Sequence, residues 1–325
     1  MIHGANGKGK SNLLEALGIL VWGRSWRTQK LRDAIMWGEN HARVVASWDD
    51  HRMEFGISRV PEKKLFKRDG KTVLASEFVG QLNAVLFTPE DLNLVYGEPL
   101  DRRHFLDKLL IQSDTVYLEA LAQFQKAIKQ RNELLKRLSM RPEREWELEI
   151  WDMKLVELAT VIWGKRKQLV DDLSQALSEF YSRLAGHEEA VHMHYATPPE
   201  DYAAELVLRR REDLRYCHTT CGPHRDDWSL TLNGEPALAF ASRGECRSLV
   251  LSLKQAELQT LKARGRNPML LLDDVFSELD EHRRLHLLNM TAGQTTVITS
   301  TEPVEGNWRQ LEVGELRESN QSESN

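Results

Sequence analysis

The chain has 325 residues, of which 41% are hydrophobic and 29% charged, a balance ordinary for a globular protein. It contains no run of eighteen or more apolar residues and only three cysteines, so we expect neither a membrane span nor a disulfide framework, and a reducing cytoplasmic location. The net charge of −5 conceals an asymmetry: residues 1–80 carry 14 Lys and Arg against 9 Asp and Glu, a local +5 that suits either polyanion contact or an ordinary solvated face.

The first predicted element is a phosphate-binding loop that begins at the fourth residue. It consists of Gly4, Ala5, Asn6, Gly7, Lys8, Gly9, Lys10 and Ser11, and apolar residues at helical spacing follow at 12–20. Glycines let the backbone curl around a phosphate, the lysine neutralises charge between the β- and γ-phosphates, and the serine hydroxyl supplies a Mg²⁺ ligand. We therefore predict that all eight residues bind ATP. We expect no signal peptide, because the loop follows the first residues directly.

Strands and then a long helical segment are predicted next. The β-rich runs at 41–59 and 71–87 flank a turn at 67–70, which indicates a hairpin. From about residue 100 the apolar residues recur every three or four positions, which predicts a helical arm of roughly 100 residues. The sequence Ser139-Met140-Arg141-Pro142 breaks this pattern, so we expect the arm to fold back on itself there.

Strand patterning returns after the arm, at 227–232, where Asn233-Gly234 is a strong signal for a hairpin turn. A helix through Leu261, a strand at 270–272, a helix from Glu281 and a strand at 295–300 follow. The last residues, 316–325, are polar and predicted to be disordered.

Two carboxylates at the end of the apolar strand complete the predicted nucleotide site. Asp273 follows the apolar residues 269–272, and a buried strand that ends in a carboxylate can hold Mg²⁺ through its water shell. Asp274 stands where a general base for attack on the γ-phosphate would lie. The alternative for this pair is an apolar strand that runs into an acidic turn.

A third phosphate-binding element is predicted at Ser242-Arg243-Gly244-Glu245, just before a helix. A plain helix cap is the ordinary explanation of so short a sequence. Its position before the carboxylate pair favours phosphate binding, yet the first loop already saturates the phosphates within one molecule. Ser242 and Gly244 would therefore serve a nucleotide held by a second molecule, which predicts an ATP-dependent homodimer.

Several segments beyond these motifs resemble the RecF family of bacterial DNA replication and repair ATPases, which is related to SMC-type heads. The matching segments are GRSWRT at 23–28, LFTPEDL at 86–92, RRHFLD at 102–107, KQRNELLK at 129–136, GPHRDD at 222–227 and LLDDVFSELD at 271–280. They cover the chain from end to end and are far more specific than a phosphate loop.

The resemblance implies an α/β fold, a P-loop NTPase head of the ABC/SMC type with an inserted short α-helical arm lobe. The head would comprise residues 1–100 and 215–315, with a basic N-terminal part, and the arm lobe residues 101–214. The resemblance also implies a weak DNA-dependent ATPase of recombinational repair and replication restart. ATP would drive homodimerisation on double-stranded or gapped DNA and slow hydrolysis would reset it, with RecR and RecO as partners in loading recombinase.

Roles are carried over from the family by position. Phosphate and Mg²⁺ are assigned to Lys10, Ser11 and Asp273. The attacking water is assigned to Asp274, which with Lys10 forms the catalytic pair. The γ-phosphate of a second molecule is assigned to Ser242 and Gly244. The dimer interface is assigned to Ser277, Glu278 and Asp280.

Three features depart from the family pattern. Only three residues precede the loop, where the family has further N-terminal strands, so we expect the strand that holds the loop to be missing and cannot assign the adenine contact. Glu245 and Cys246 stand where two glutamines are expected, and a carboxylate near a γ-phosphate is unfavourable unless Arg243 or Arg247 compensates. The residues at 299–301 replace the histidine of transport ATPases, which argues against a transporter subunit.

A basic run after the first helix is the candidate for DNA contact. It is formed by Arg24, Arg27, Lys30 and Arg32. Trp22 and Trp26 are interleaved with it, chemistry that suits contact with phosphates and bases. Packing of the two tryptophans in the core of the head explains the pattern equally well.

Several alternatives stay open. The chain is either a slow ATPase whose hydrolysis resets a DNA clamp or a nucleotide-gated DNA scaffold in which hydrolysis is nearly lost. An SMC-type cohesion or compaction protein would need hundreds of heptad residues, which the chain lacks. Cys217, His218 and Cys221 superficially resemble a zinc site, but they lie close together without an obvious fourth ligand. His224 is expected to belong to a structural turn.

Overall fold

The structure is a computed structural model, and it describes residues 1–28, 30–139, 142–303, 306 and 308–312, with only the main chain at 142–143. The chain forms two compact units, one from residues 1–92 and 247–325 and the other from residues 93–246. The predicted disordered tail at 316–325 and the centre of the predicted helix break at 140–141 lie outside the described residues.

Strands and helices alternate towards both ends of the chain, whereas helices dominate its middle. Residues 1–92 form β1 (Ile2–His3), α1 (Lys10–Trp22), β2 (His41–Trp48), β3 (His51–Ser58), β4 (Lys63–Arg68), β5 (Lys71–Thr72), α2 (Ala75–Phe78) and β6 (Ala84–Phe87). Residues 93–242 form α3 (Asn93–Tyr96), α4 (Pro99–Ile111), α5 (Thr115–Leu138), α6 (Glu149–Ala185), β7 (Val191–Tyr195), α7 (Tyr202–Tyr216), β8 (Trp228–Leu232), β9 (Glu235–Pro236) and α8 (Ala237–Phe240). The last elements are α9 (Arg243–Ala263), β10 (Met269–Asp273), α10 (Glu281–Thr291), β11 (Thr296–Ser300) and β12 (Leu311–Glu312).

A five-stranded parallel sheet forms the centre of the first unit. Its strands lie in the order β12-β1-β11-β10-β6. The strand β10 is apolar until its last residue, and Leu270, Leu271 and Leu272 are completely buried. Strands of parallel sheets are covered on both faces and read as continuous apolar runs, which is why this strand could be predicted. The carboxyl end of β10 carries the predicted carboxylate pair.

The strand before the phosphate loop is present, so the expectation that it is missing is wrong. Ile2–His3 pairs in parallel with β11 on one side and with β12 on the other. The amino group of Met1 donates to the Arg309 carbonyl at 2.7 Å, and Leu311 N donates to the Met1 carbonyl at 2.9 Å. Two residues suffice because strands on both sides satisfy their main-chain groups. The strand β12, which the sequence did not predict, supplies one of these sides.

The second sheet of the first unit is antiparallel, in the order β2-β3-β4-β5. The predicted turn at 67–70 is confirmed, because β4 and β5 pair across Asp69 and Gly70, whose φ angles are 50° and 80°. Both angles belong to the left-handed region that tight hairpin turns require. The strand before the turn is β4, which lies outside the predicted runs at 41–59 and 71–87. Met53, Phe55 and Ile57 alternate along β3 and bury one face of this sheet, which leaves the opposite face to solvent.

The second unit is mainly helical. The long helices α5 and α6 pack against each other, so the chain folds back between them as predicted. A small sheet, β7-β8-β9, is also present, and Asn233 and Gly234 form its predicted hairpin turn with φ angles of 53° and 86°. Residues 215–246, which the sequence grouped with the head, fall in this unit, because β8 pairs with β7. Every helix in the described ranges is too short or too polar to cross a bilayer.

Buried arginines link the elements of the second unit. Arg131 is completely buried, and its guanidinium group donates to Asp152 at 2.7 Å, to Asp213 at 2.6 Å and to Thr219 at 2.9 Å. Arg131 belongs to one of the segments that carry the family resemblance. Its role in this structure is to neutralise two buried carboxylates, because a buried carboxylate without a counter-charge would destabilise the fold.

A second buried arginine joins two more of these segments. Arg166 donates to Asp107 at 2.8 Å and lies 3.2 Å from Asp226, which also accepts a hydrogen bond from Tyr195. His224 lies in a short turn, with its Nε2 atom 3.0 Å from the Thr219 carbonyl. Burial lowers the pKa of His224 to about 4, so the ring is neutral near pH 7. A structural turn is therefore what the structure shows.

The cysteines near this turn are free. Within the described ranges, no group of three or more His, Cys, Asp or Glu side chains is arranged to hold a metal ion.

Candidate nucleotide site

The phosphate loop connects β1 to α1 in the first unit. Gly7 and Gly9 have φ angles of 76° and 98°, a region that glycine enters without steric cost. Gly9 immediately precedes α1, and no side chain in the described part of the chain caps this helix. The first turn of α1 also contains no acidic residue. Its N–H groups and the positive end of its dipole are therefore suited to bind an anion.

Lys10 is buried and its ammonium group folds back over the loop. The Nζ atom donates to the Gly4 carbonyl at 2.5 Å and to the Ala5 carbonyl at 3.1 Å. This arrangement places a positive charge at the loop itself, next to the uncapped helix end. The charge and the N–H donors together fit the phosphate groups of a nucleotide.

Side chains from three distant parts of the sequence meet at the carboxyl ends of the parallel strands. Ser11 Oγ donates to Asp273 Oδ1 at 2.9 Å, although the two residues are 262 positions apart. Thr299 Oγ1 donates to the same carboxylate oxygen at 2.6 Å. Because Mg²⁺ prefers oxygen ligands, the hydroxyl and carboxylate pair fits this ion.

Thr299 was not predicted to belong to the site. The register of the parallel sheet pairs Asp273 with Thr299, and the threonine side chain is completely buried. It orients the carboxylate, since a second hydrogen bond restricts rotation of the aspartate side chain. In the sequence, residues 299–301 had indicated only the lack of a transporter histidine, so the pairing of β10 with β11 is what places Thr299 on Asp273.

Asp274 follows in a left-handed backbone conformation, with a φ angle of 52°. Its main-chain N–H donates to the Thr299 carbonyl at 3.1 Å. Burial raises the pKa of the Asp274 carboxyl, Asp273 and Glu278 raise it further, and Lys10 opposes them. A carboxylate with a raised pKa accepts a proton more readily, as a general base must.

The segment at 242–245 forms a capping box at the start of α9. Ser242 Oγ accepts a hydrogen bond from Glu245 N at 3.3 Å, and the Glu245 carboxylate accepts one from Ser242 N at 2.7 Å. These hydrogen bonds lower the pKa of Glu245. The Glu245 side chain therefore caps α9, a role that the family resemblance did not predict. Arg247, expected as a compensating charge for Glu245, pairs instead with Glu278 at 3.3 Å.

Ser242 and Gly244 lie in the second unit, whereas the loop and the carboxylate pair lie in the first. The residues assigned to the dimer interface are exposed: Ser277, Glu278 and Asp280. Ser277 Oγ donates to the Asp274 carbonyl at 2.8 Å, so the first of these residues contacts the main chain of the predicted general base. The Asp280 side chain caps α10 by accepting from Arg283 N at 2.9 Å.

The four basic residues predicted to contact DNA differ in their surroundings. Arg27 donates to Asn12 at 2.8 Å and to Glu15 at 3.3 Å, so its charge is already partly neutralised. Arg24 is half-buried, and Lys30 and Arg32 are exposed.

The two tryptophans of this run are only partly accessible for contact with DNA. Trp22 is buried, at 4% exposure, so the core packing considered for it is what the structure shows. Trp26 is half-buried, and its ring lies 5.9 Å from the Arg27 guanidinium carbon. A cavity of about 580 Å³ lies between Arg27, one face of α1 and the inner faces of β2 and β3.

A second basic surface, missed in the sequence, is the outer face of the antiparallel sheet. The strand register places four cations on it: Arg43, Arg52, Lys63 and Lys67. Glu54 is the one acidic residue within β2, β3 and β4, and it contacts Arg43 at 2.7 Å and Lys67 at 3.5 Å. Four cations against one carboxylate leave a net charge of +3 on this face. The four cations lie at alternate positions of their strands, on the face opposite Met53, Phe55 and Ile57, so alternation in the sequence could have revealed this surface.

Comparison with known proteins agrees with this fold and site. No protein-family model matches the chain. The chain is similar to the DNA replication and repair protein RecF of Agathobacter rectalis, at 36% identity over 308 residues, which cover 93% of this chain and 85% of the relative. It is similar to the protein of the same name from Deinococcus radiodurans, at 37% identity over 312 residues, 94% of this chain and 84% of the relative.

Two solved structures are also similar to the chain. One is the recombination mediator protein RecF-ATPrS in the RecFOR pathway, with a TM-score of 0.86 and 32% identity. The other is RecF-ATP in the same pathway, with a TM-score of 0.86 and 31% identity. Each match covers 96% of this chain and 88% of the other.

Proposed function

The chain belongs to the RecF family of DNA replication and repair proteins, and on this basis we propose that it is an ATP-dependent DNA-binding protein of recombinational repair and replication restart. ATP binding drives homodimerisation on DNA at gaps and single-strand/double-strand junctions, and slow hydrolysis resets the dimer. The observation that carries the proposal is the contact of Ser11 and Thr299 with Asp273, next to the loop that holds Lys10.

The nucleotide roles follow from the chemistry of the site. The loop N–H groups and Lys10 hold the β- and γ-phosphates, and Ser11 with Asp273 hold Mg²⁺. When bound, Mg²⁺ supplies neutralisation of the phosphate charge. Asp274 orients the attacking water and accepts its proton, a role supported by the raised pKa of its carboxyl.

The two compact units have different roles in this proposal. The first is the ATPase head, and the helices of the second form the arm lobe. Ser242 and Gly244 contact the γ-phosphate of a nucleotide held by a second copy. Ser277, Glu278 and Asp280 line the interface between the two copies, which their exposure allows. RecR together with RecO are the partners in loading recombinase, supported by the similar RecF structures being described in the RecFOR pathway.

Measurement of ATP turnover with and without gapped DNA tests the proposed function. We expect slow turnover that rises several-fold when DNA is added. A chain that binds DNA only with ATP and shows no turnover would be the nucleotide-gated scaffold instead. Absence of both ATP binding and DNA binding would contradict either function.

The variant Asp274→Asn tests the proposed general base. We expect turnover to fall about 100-fold, because the amide cannot accept the proton of the attacking water. Affinity for ATP should stay close to that of the parent, and the ATP-bound dimer should last longer. The control is Asp171→Asn, which changes a surface carboxylate on α6. Parent-like turnover in Asp274→Asn would remove Asp274 from the mechanism.

The salt dependence of DNA binding tests which basic surface contacts phosphates. Replacement of both Arg52 and Lys63 by alanine should reduce the slope of log affinity against log salt by about 2, since each phosphate contact contributes about 1. Charge reversal at Arg24 and Arg27 should also weaken binding if the predicted run contacts DNA. Filter binding or fluorescence anisotropy between about 50 and 200 mM salt measures the slope. If neither pair changes the slope, DNA lies elsewhere.

A further inference from the structure

An acidic stripe with exposed apolar side chains lies where a short 3₁₀ segment, Pro142–Leu148, runs into α6. We use this name for five residues: Glu145, Trp146, Glu149, Ile150 and Met153. The three apolar side chains are 61%, 69% and 70% exposed. They recur at intervals of four and three positions. Trp146 lies in the 3₁₀ segment, and Ile150 and Met153 share one side of α6. Three neighbouring apolar groups this exposed suggest a contact surface rather than isolated surface residues.

A basic stripe of similar design lies on α7. It consists of four residues: Val207, Leu208, Arg211 and Arg215. The two apolar side chains are 55% and 75% exposed, and both arginines are exposed as well. The helix therefore presents apolar and positively charged groups to the solvent side by side.

The two stripes match in spacing. Glu145 and Glu149 are four residues apart, and so are Arg211 and Arg215. Four residues correspond to about 6 to 8 Å along an α- or 3₁₀-helix, so two carboxylates can face two guanidinium groups at the same separation. The apolar residues of each stripe then meet between or beside the ion pairs.

Among the described residues, the charges of the stripes differ from their neighbours, which form ion pairs. Nearby ion pairs join Arg144 to Glu147 at 2.5 Å, Lys154 to Glu157 at 2.9 Å and Arg209 to Glu205 at 2.7 Å. Within the part of the chain that the structure describes, Glu145, Glu149 and Arg211 form no ion pair. The Arg215 guanidinium carbon lies 5.5 Å from the centre of the Tyr216 ring.

The two helices that carry the stripes are fastened to each other. Arg210 on α7 lies 3.0 Å from Asp152 on α6, and Asp152 also accepts from the buried Arg131. Arg210 directly precedes Arg211, and Asp152 directly precedes Met153. The two helices therefore hold both stripes in fixed positions relative to each other, which lowers the entropic cost of binding.

We propose that the acidic stripe of one copy binds the basic stripe of a second copy. A second copy is the occupant because the two stripes complement each other in the sign, number and spacing of their charges. The contact lies wholly in the second unit and needs no nucleotide. It uses none of the residues assigned to the ATP-driven dimer of the proposed function, and it would join such dimers into larger assemblies.

Sedimentation of the full chain without nucleotide tests this contact. We expect the parent chain to sediment above the monomer at concentrations of tens of micromolar, and its association to weaken as salt screens the charges. Glu149→Arg alone and Arg211→Glu alone should each weaken association about tenfold. The double variant should regain the parent association, because the pair is restored with its charges exchanged.

The control is Glu119→Arg, which reverses an exposed charge on α5 and should leave association unchanged. Ile150→Ser with Leu208→Ser should weaken association without altering any charge, and circular dichroism checks that each variant is folded. A monomeric parent chain overturns the proposal, and so does a double variant as weak as the single ones. Either result leaves the ATP-driven dimer untouched, since that dimer is measured separately by adding ATP.

Discussion

Replacement of Arg131 by methionine is expected to destabilise the second unit by about 3 to 5 kcal/mol. The arginine is completely buried and bonds to Asp152 at 2.7 Å and to Asp213 at 2.6 Å. Methionine keeps much of the side-chain volume but leaves two carboxylates without their shared cation. The cost therefore arises from charge rather than from a cavity. Urea unfolding followed by circular dichroism measures the loss.

Arg209→Met is the matched control for this effect. Arg209 also bridges two carboxylates, Glu205 at 2.7 Å and Glu212 at 3.1 Å, but its side chain is 43% exposed. Water screens an exposed ion pair, so we expect a loss below about 1 kcal/mol. Similar losses in the two variants would show that burial does not decide the strength of these interactions.

Replacement of Lys10 by alanine is expected to lower ATP affinity by about 100-fold or more, which corresponds to about 3 kcal/mol. The Lys10 ammonium lies over the loop, 2.5 Å from the Gly4 carbonyl, and places a positive charge where the phosphates are proposed to bind. Its loss removes charge-assisted hydrogen bonds to the β- and γ-phosphates. Isothermal titration calorimetry with ATP and Mg²⁺ measures the affinity.

Lys71→Ala provides the comparison, since Lys71 is an exposed lysine in β5. It should bind ATP like the parent chain. Thermal unfolding of Lys10→Ala without nucleotide checks that the variant is folded, since the substitution also removes the Lys10 hydrogen bonds to the Gly4 and Ala5 carbonyls. Parent-like ATP affinity in a folded Lys10→Ala chain would show that the loop does not bind the nucleotide.

Local patterns predicted much of this fold. The apolar run that became β10, the helical periods that became α5 and α6, and the turns at Asp69-Gly70 and Asn233-Gly234 all appear where they were expected. Each depends on interactions between residues close in sequence. Backbone preferences and side-chain periods are properties of a short segment, so they can be recognised without the tertiary structure.

The strands β7 and β12 were not predicted, for different reasons. The strand β7 carries a usable signal, because buried Val191 and Met193 alternate with exposed His192 and His194. The helical periods of the surrounding segment obscure this alternation. The two-residue strand β12 has no local signal of its own and exists because β1 offers it a partner. Short strands of this kind depend on the sheet and not on propensity.

The candidate nucleotide site also combines features that local sequence patterns predict with features that depend on tertiary pairing. The sequence alone predicted which residues would carry the chemistry: a lysine and a serine in a glycine-rich loop, and an aspartate pair after an apolar strand. These motifs are local, because each must present its groups on one turn or at one strand end. Their family context was likewise readable, and the comparisons confirmed it.

The hydrogen-bond partners and strand neighbours of those groups could be seen in the tertiary structure alone. It placed Thr299 on Asp273, kept Ile2–His3 between two strands, and turned Glu245 into a helix cap. Parallel pairing joins residues that are far apart in the chain, and the strand register determines which side chains meet. A side chain's partners depend on that register, and no motif in a single segment records it.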